Sequence, residues 1–217
     1  MPQNHQTFTA QVSTTASLNY LLYLPPDYTA QTEWPLIIFL HGYGERGSDL
    51  NAVEKHGLPK RIAAGDDFPF IIASPQCPDT TFWPEQTLEL NALLDHLIAT
   101  YPVDTRRVYL TGLSMGGYGT WYFASRYPER FAAIAPICGG GGWWMPQRLK
   151  QIPIWVFHGD ADDIVPLSAS GDMVEAIREL GGDVRYTVYP GAGHDSWTET
   201  YDNPELYTWF LSHSLKA

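Results

Sequence analysis

The sequence predicts one α/β domain spanning residues 1–217, a mostly parallel central sheet with helices on both faces and little or no lid. Short apolar runs such as Leu36-Ile37-Ile38-Phe39-Leu40 and Ile154–Phe157 are continuous rather than alternating, as in strands buried on both faces. From residue 36 onward such runs alternate with helical segments, which implies right-handed crossovers between parallel neighbours. A chain of 217 residues can bury roughly 70% of its unfolded surface without covalent staples.

In chain order, Thr7–Val12 and Asn19–Leu24 alternate weakly ahead of the stiff turn Pro25-Pro26-Asp27-Tyr28, so an opening antiparallel pair at a sheet edge is expected. Pro35–Leu40 reads as a central strand ending at the glycine-rich His41-Gly42-Tyr43-Gly44-Glu45-Arg46-Gly47. Residues 48–64 have modest helical periodicity, and Phe68–Ser74 is another buried strand. Leu90, Leu93, Leu94, Leu97, Ile98 and Tyr101 recur at three and four, giving an amphipathic helix over Glu85–Tyr101 that Pro102 ends. After a strand beginning near Arg107 and a following helix come a strand at Phe131–Ile137, a loop at Gly139–Gly142, and a strand at Ile154–Phe157. A helix at Met173–Leu180 stopped by Gly181-Gly182, a strand at Val184–Tyr189 and a helix at Asn203–Leu215 complete the chain.

Composition narrows the function classes. Hydrophobic residues make up 44% and charged residues 17%, a globular balance, and no apolar run approaches the roughly 20 residues of a membrane span. The net charge of −11 repels phosphate backbones and anionic bilayers, so neither nucleic acid nor membrane is an expected partner. Met1-Pro2-Gln3-Asn4-His5-Gln6 has neither a basic region nor an apolar core, so no secretory signal is read there and a cytoplasmic location is expected. Cys77 and Cys138 lack the spacing of a zinc site and are expected to be buried free thiols.

The chemistry-bearing residues all follow strand ends. Gly112-Leu113-Ser114-Met115-Gly116 interrupts a β-branched and aromatic run and precedes a helical segment, which puts Ser114 on a sharp strand-to-helix turn at a helix N-terminus. Side chains at 112 and 116 would collide with the neighbouring strand and helix. A serine hydroxyl needs a base, and His194 in Gly191-Ala192-Gly193-His194 is the candidate. The base needs a carboxylate, for which Asp160, Asp162 and Asp163 are available; capping the following helix or bracing the loop is the structural alternative, and Asp160 and Asp163 are read that way. Met115 offers one backbone N–H to an oxyanion, and Tyr43, Gly44 or Glu45 offers the other. The side chains of His41 and Glu45 are read as shaping their loop. Trp83, Trp143, Trp144 and Trp197 lie in loops and are candidates for walls of a substrate pocket, Trp197 foremost because it is three residues from His194.

Taken together, His-Gly-Tyr-Gly-Glu-Arg-Gly, Gly-Leu-Ser-Met-Gly-Gly, His-Gly-Asp-Ala-Asp-Asp-Ile-Val-Pro and Gly-Ala-Gly-His resemble the phospholipase/carboxylesterase and dienelactone-hydrolase-like branch of the α/β-hydrolase superfamily. Within it they are similar to small bacterial serine esterases of the predicted-peptidase or polyhydroxybutyrate-depolymerase-like type. The resemblance runs from about residue 20 to 211 and implies an α/β-hydrolase fold. It further implies Ser114, Asp162 and His194 as the catalytic residues, the Tyr43 and Met115 amides as the oxyanion hole, and no cofactor or metal. The implied substrate is a small carboxylic ester, including aromatic acyl esters such as feruloyl. Dienelactone hydrolases proper carry a cysteine nucleophile; position 114 is serine, which favours ordinary ester hydrolysis over lactone opening. Cleavage of peptide or thioester bonds, and a non-catalytic binding module, are the competing readings.

Overall fold

A computed structural model describes residues 4–29 and 32–216; Met1-Pro2-Gln3 of the N-terminal reading lie outside the described residues. Seven strands form one sheet: β1 (Tyr20–Tyr23), β2 (Trp34–Leu40), β3 (Ile71–Pro75), β4 (Val103–Leu113), β5 (Ala133–Ile137), β6 (Ile154–Gly159) and β7 (Val184–Tyr189), in the spatial order β1-β3-β2-β4-β5-β6-β7. Only β1 is antiparallel to its neighbour. Alternation along β2 shows why both faces must be covered. Leu36, Ile38 and Leu40 enter one core with Leu90, Leu94 and Trp121, whereas Ile37 and Phe39 enter the other with Tyr201, Leu206 and Phe210.

The helices that cover the sheet are α1 (Gly57–Ala63), α2 (Thr87–Thr100), α3 (Met115–Arg126), α4 (Pro146–Leu149), α5 (Leu167–Glu179), α6 (Trp197–Asp202) and α7 (Pro204–Leu211). Among the described residues none is long and apolar enough to cross a membrane. Because β2 to β7 run parallel, the loops at 41–47, 114, 160–165 and 190–196 emerge at the same sheet edge, where open α/β sheets bind ligands.

Several elements differ from the sequence reading. Thr7–Val12 forms no strand: Phe8 and Val12 are 91% and 88% exposed, and without an apolar face to bury the segment gains nothing from pairing. Tyr20–Tyr23 takes the free edge of β3 instead, with Leu22 opposite Ala73. The helix expected to start at Met173 begins at Leu167, directly after Pro166, through a polar turn that carries no apolar periodicity. The expected helix Asn203–Leu215 is present as α7 but stops at Leu211, and the separate short helix α6 precedes it unforeseen. Asn203 ends α6, and its side chain accepts the Glu205 N–H to cap α7, whose first residue is Pro204.

Candidate active site

Ser114 joins β4 to α3 at φ 54° and ψ −117°, one of two non-glycine residues with positive φ among those described. Such a turn demands missing side chains around it. A Cβ at Gly116 would penetrate the Leu40 carbonyl, and one at Gly112 the Gly116 carbonyl, so strand and helix approach closely only as glycine backbone. The Ser114 N–H is held from below by the Ile137 carbonyl at 3.0 Å and by Cys138 Sγ at 3.3 Å. Cys138 is the other positive-φ residue, and burial pushes its thiol up to about 12, so its sulfur acts here as a neutral acceptor. Both cysteines are buried free thiols.

His194 Nε2 lies 2.8 Å from Ser114 Oγ, and its Nδ1 lies 2.7 Å from Asp162 Oδ2. Three side chains from three strand-end loops therefore form one relay. The aspartate is fully enclosed, and its second oxygen accepts the Ile164 and Val165 N–H groups, both at 2.9 Å. Burial alone pushes the Asp162 carboxyl up; the His194 hydrogen bond and the two amide bonds outweigh it and hold the group below its ordinary 3.8. The other two acids differ. Asp160 accepts the Gly191 N–H at 2.6 Å and so braces the loop that carries His194, whereas Asp163 is exposed and caps no helix, Pro166 being the N-cap of α5.

A second histidine, which the sequence reading assigned no role, sits beneath Asp162. His158 is fully buried, with Nε2 3.2 Å from Asp162 Oδ2 and 3.0 Å from the Val165 carbonyl, and Nδ1 2.7 Å from Ser170 Oγ. Nε2 faces two acceptors, so it carries a proton and donates to them. Asp162 Oδ2 is thus fixed between two imidazoles. The only hint in the sequence is the position of His158 at the end of a buried strand.

The loop after β2 is held just as closely. His41 Nε2 accepts the Cys77 N–H at 3.0 Å, so the ring proton is on Nδ1, which donates to the Gly42 carbonyl at 2.6 Å. Burial lowers the pKa of His41 to about 4 and keeps it neutral. Because the Gly42 carbonyl and the Tyr43 N–H belong to one peptide plane, this bond also sets the direction of that N–H. Tyr43 and Met115 each open a helical turn, leaving their N–H groups without an intrahelical partner. Arg46 completes the clamp: Nε donates to the Tyr43 carbonyl at 3.2 Å, Nη1 to the Thr81 carbonyl at 3.0 Å, and the guanidinium lies 3.7 Å from the centre of the Tyr43 ring. Arg46→Ala is expected to lower kcat for ester hydrolysis about tenfold, a fraction of the loss from removing an oxyanion donor outright, with the melting temperature little changed. Unchanged kcat would show that the loop holds its shape without the clamp.

A cavity of about 330 Å³ opens over Ser114, walled by Tyr43, Glu45, His56, Ile164, His194 and Trp197 among others. Trp197 stands edge-on to His194, ring centres 5.2 Å apart, and to His56 at 5.5 Å. The other three tryptophans lie elsewhere, correcting the sequence reading. Trp83 is fully buried behind the 41–47 loop, donating Nε1–H to the His41 carbonyl at 2.9 Å and packing where Gly119 has no side chain. Trp143 is 89% exposed, and Trp144 packs edge-on to Tyr122 in a separate groove with Ser125, Arg126 and Arg148. Their loop is anchored by buried Met145, and it sets Trp144 against Tyr122 of α3 and Trp143 edge-on to Trp144, so neither ring lines the cavity over Ser114. His56 was also missed, since the modest periodicity of residues 48–64 marks no side chain there for the site.

Among the described residues, one group of three potential metal donors falls within 4.8 Å: Cys138, Asp162 and His194. Asp162 and His194 already bond to each other, and Cys138 keeps its proton, so a metal there would have to break the relay.

A seven-stranded, mostly parallel sheet with a strained serine at the end of β4, and an aspartate and a histidine from later loops, defines a protein of the α/β-hydrolase fold. More narrowly, the chain belongs to the family described as putative esterases, whose model matches residues 12–182. A solved structure of a thermostable esterase superimposes with a TM-score of 0.80 at 36% identity, covering 91% of this chain and 59% of that one. The bifunctional acetylxylan esterase/xylanase of Neocallimastix patriciarum is 29% identical over 185 residues, 81% of this chain and 26% of the relative. Acyl-protein thioesterase 1 of Gibberella zeae is 25% identical over 212 residues, 79% of this chain and 88% of the relative. The chain thus spans about a quarter of the acetylxylan esterase/xylanase and somewhat over half of the solved esterase.

Proposed function

We infer that the protein is a serine carboxylesterase acting on small or medium carboxylic esters. The observation that carries this reading is the continuous hydrogen-bonded path from Ser114 Oγ through His194 to Asp162, opening on a cavity of about 330 Å³. Ser114 attacks the ester carbonyl while His194 Nε2 takes its proton, and Asp162 keeps the imidazole proton on Nδ1 and stabilises the imidazolium. The Tyr43 and Met115 amides receive the oxyanion. His194 then returns the proton to the leaving alcohol, and water releases the acyl group by the same steps in reverse. Nothing in the sequence calls for a cofactor.

A half-open cavity of this size suits short acyl chains and single aromatic rings such as feruloyl better than triglycerides. The likeness to a thioesterase along most of its length supports a second reading, hydrolysis of thioesters by the same residues. Comparing kcat/KM for matched ester, thioester and anilide substrates of increasing acyl size tests both. The carboxylesterase reading expects esters to lead, a lead by thioesters would replace it with the second, and turnover of none would overturn both.

A further inference from the structure

Glu45 is 94% buried by its 6% relative exposure, yet it lines the cavity over Ser114. Among the described residues its carboxylate has no hydrogen-bond donor. Oε2 lies 4.0 Å from His41 Nδ1, whose proton is committed to the Gly42 carbonyl, and Oε1 lies 3.8 Å from His56 Nε2, past hydrogen-bond reach. The contribution of Glu45 to its loop comes from its backbone, whose carbonyl accepts from buried Gln76 at 2.9 Å. Its oxygens keep contact with the open cavity, and a carboxylate bonded to nothing in the fold is free to take a donor from a bound substrate.

The direction of this wall identifies the donor. During acyl transfer the leaving oxygen must face His194 Nε2 to be protonated. The wall runs on from His194 through Trp197, which touches both His194 and His56, to the Glu45 carboxylate beside His56. It therefore follows the alcohol side of the ester. A hydroxyl both donates and accepts, so it can give its proton to the Glu45 carboxylate while taking an N–H from the half-exposed His56 imidazole; an ammonium group only donates and cannot take that N–H. We propose that Glu45, assisted by His56, forms a subsite for free hydroxyls on the alcohol portion of the substrate, making polyol or sugar esters the preferred class. This rests on the carboxylesterase reading above.

The test compares glyceryl 1-monoacetate with propyl acetate, which share a three-carbon alcohol, and adds acetylcholine as a cationic probe. Propyl acetate turnover by the unmodified protein checks the carboxylesterase reading independently of the subsite. In Glu45→Gln the ratio of kcat/KM for glyceryl monoacetate to that for propyl acetate is expected to fall about fivefold, with the loss in KM, because a charged acceptor binds a hydroxyl more strongly than a neutral amide. His56→Phe, which keeps the ring against Trp197, is expected to lower the same ratio about threefold. Unchanged ratios in both variants would overturn the proposal, as would equal kcat losses for the two acetates, which would mean that Glu45 only supports the loop. A loss confined to acetylcholine would reassign the subsite to cations.

Discussion

Ser114→Ala is expected to lower kcat for p-nitrophenyl acetate by roughly 10⁴- to 10⁶-fold and to abolish covalent labelling by a fluorophosphonate. The expected size follows from the geometry: Ser114 Oγ is the atom within 2.8 Å of His194 Nε2 that a base can turn into an attacking oxygen. Without it, only the backbone donors and substrate positioning remain. Stability should hold within about 1 kcal/mol, because alanine bears the same Cβ at φ 54° and the two N–H bonds beneath residue 114 come from its backbone. The variant thus separates chemistry from folding. Equal melting temperatures with turnover above a hundredth of the unmodified rate would remove Ser114 from the mechanism.

What could be read from the sequence was whatever depends on local pattern. The apolar runs at Leu36–Leu40 and Ile154–Phe157 have to be buried on both faces and are β2 and β6; the glycines around Ser114 are forced by backbone contact with Leu40 and with Gly116. Strand ends in a parallel sheet share one edge, so motifs after strand ends had to come near one another. What escaped depends on pairing and side-chain direction. Thr7–Val12 alternates but has no partner that would bury it, and the edge of β3 went to Tyr20–Tyr23. A tryptophan outside the periodic segments can turn inward like Trp83, outward like Trp143, or, as the first residue of α6, into the cavity like Trp197; burial, not spacing, separates them. Cys138 meets Ser114 from a separate strand-end loop, and His158, only four residues before Asp162, reaches it through an irregular turn whose shape the spacing does not fix.

Asp162→Asn is expected to cost about 10⁴-fold in kcat, and the surrounding hydrogen bonds explain why an isosteric change does so much. Oδ1 accepts two backbone N–H groups, from Ile164 and Val165, so the asparagine oxygen must remain on that side. Its NH₂ is then forced into the place of Oδ2, facing His194 Nδ1 at 2.7 Å and the donating Nε2 of His158 at 3.2 Å. To avoid a clash of donors, His194 must move its proton to Nε2, and an Nε2 that already holds a proton cannot take one from Ser114. The variant should also reveal the low pKa of Asp162. A carboxyl held below 3.8 in the folded state contributes stability that is fully present above the unfolded value and is lost as pH falls through the folded one. Urea titrations should therefore find Asp162→Asn less stable at pH 7, with the gap to the unmodified protein closing in acid below the ordinary carboxylate range. A gap independent of pH, or kcat within tenfold of the unmodified protein, would mean that the charge on Asp162 is not what orients His194.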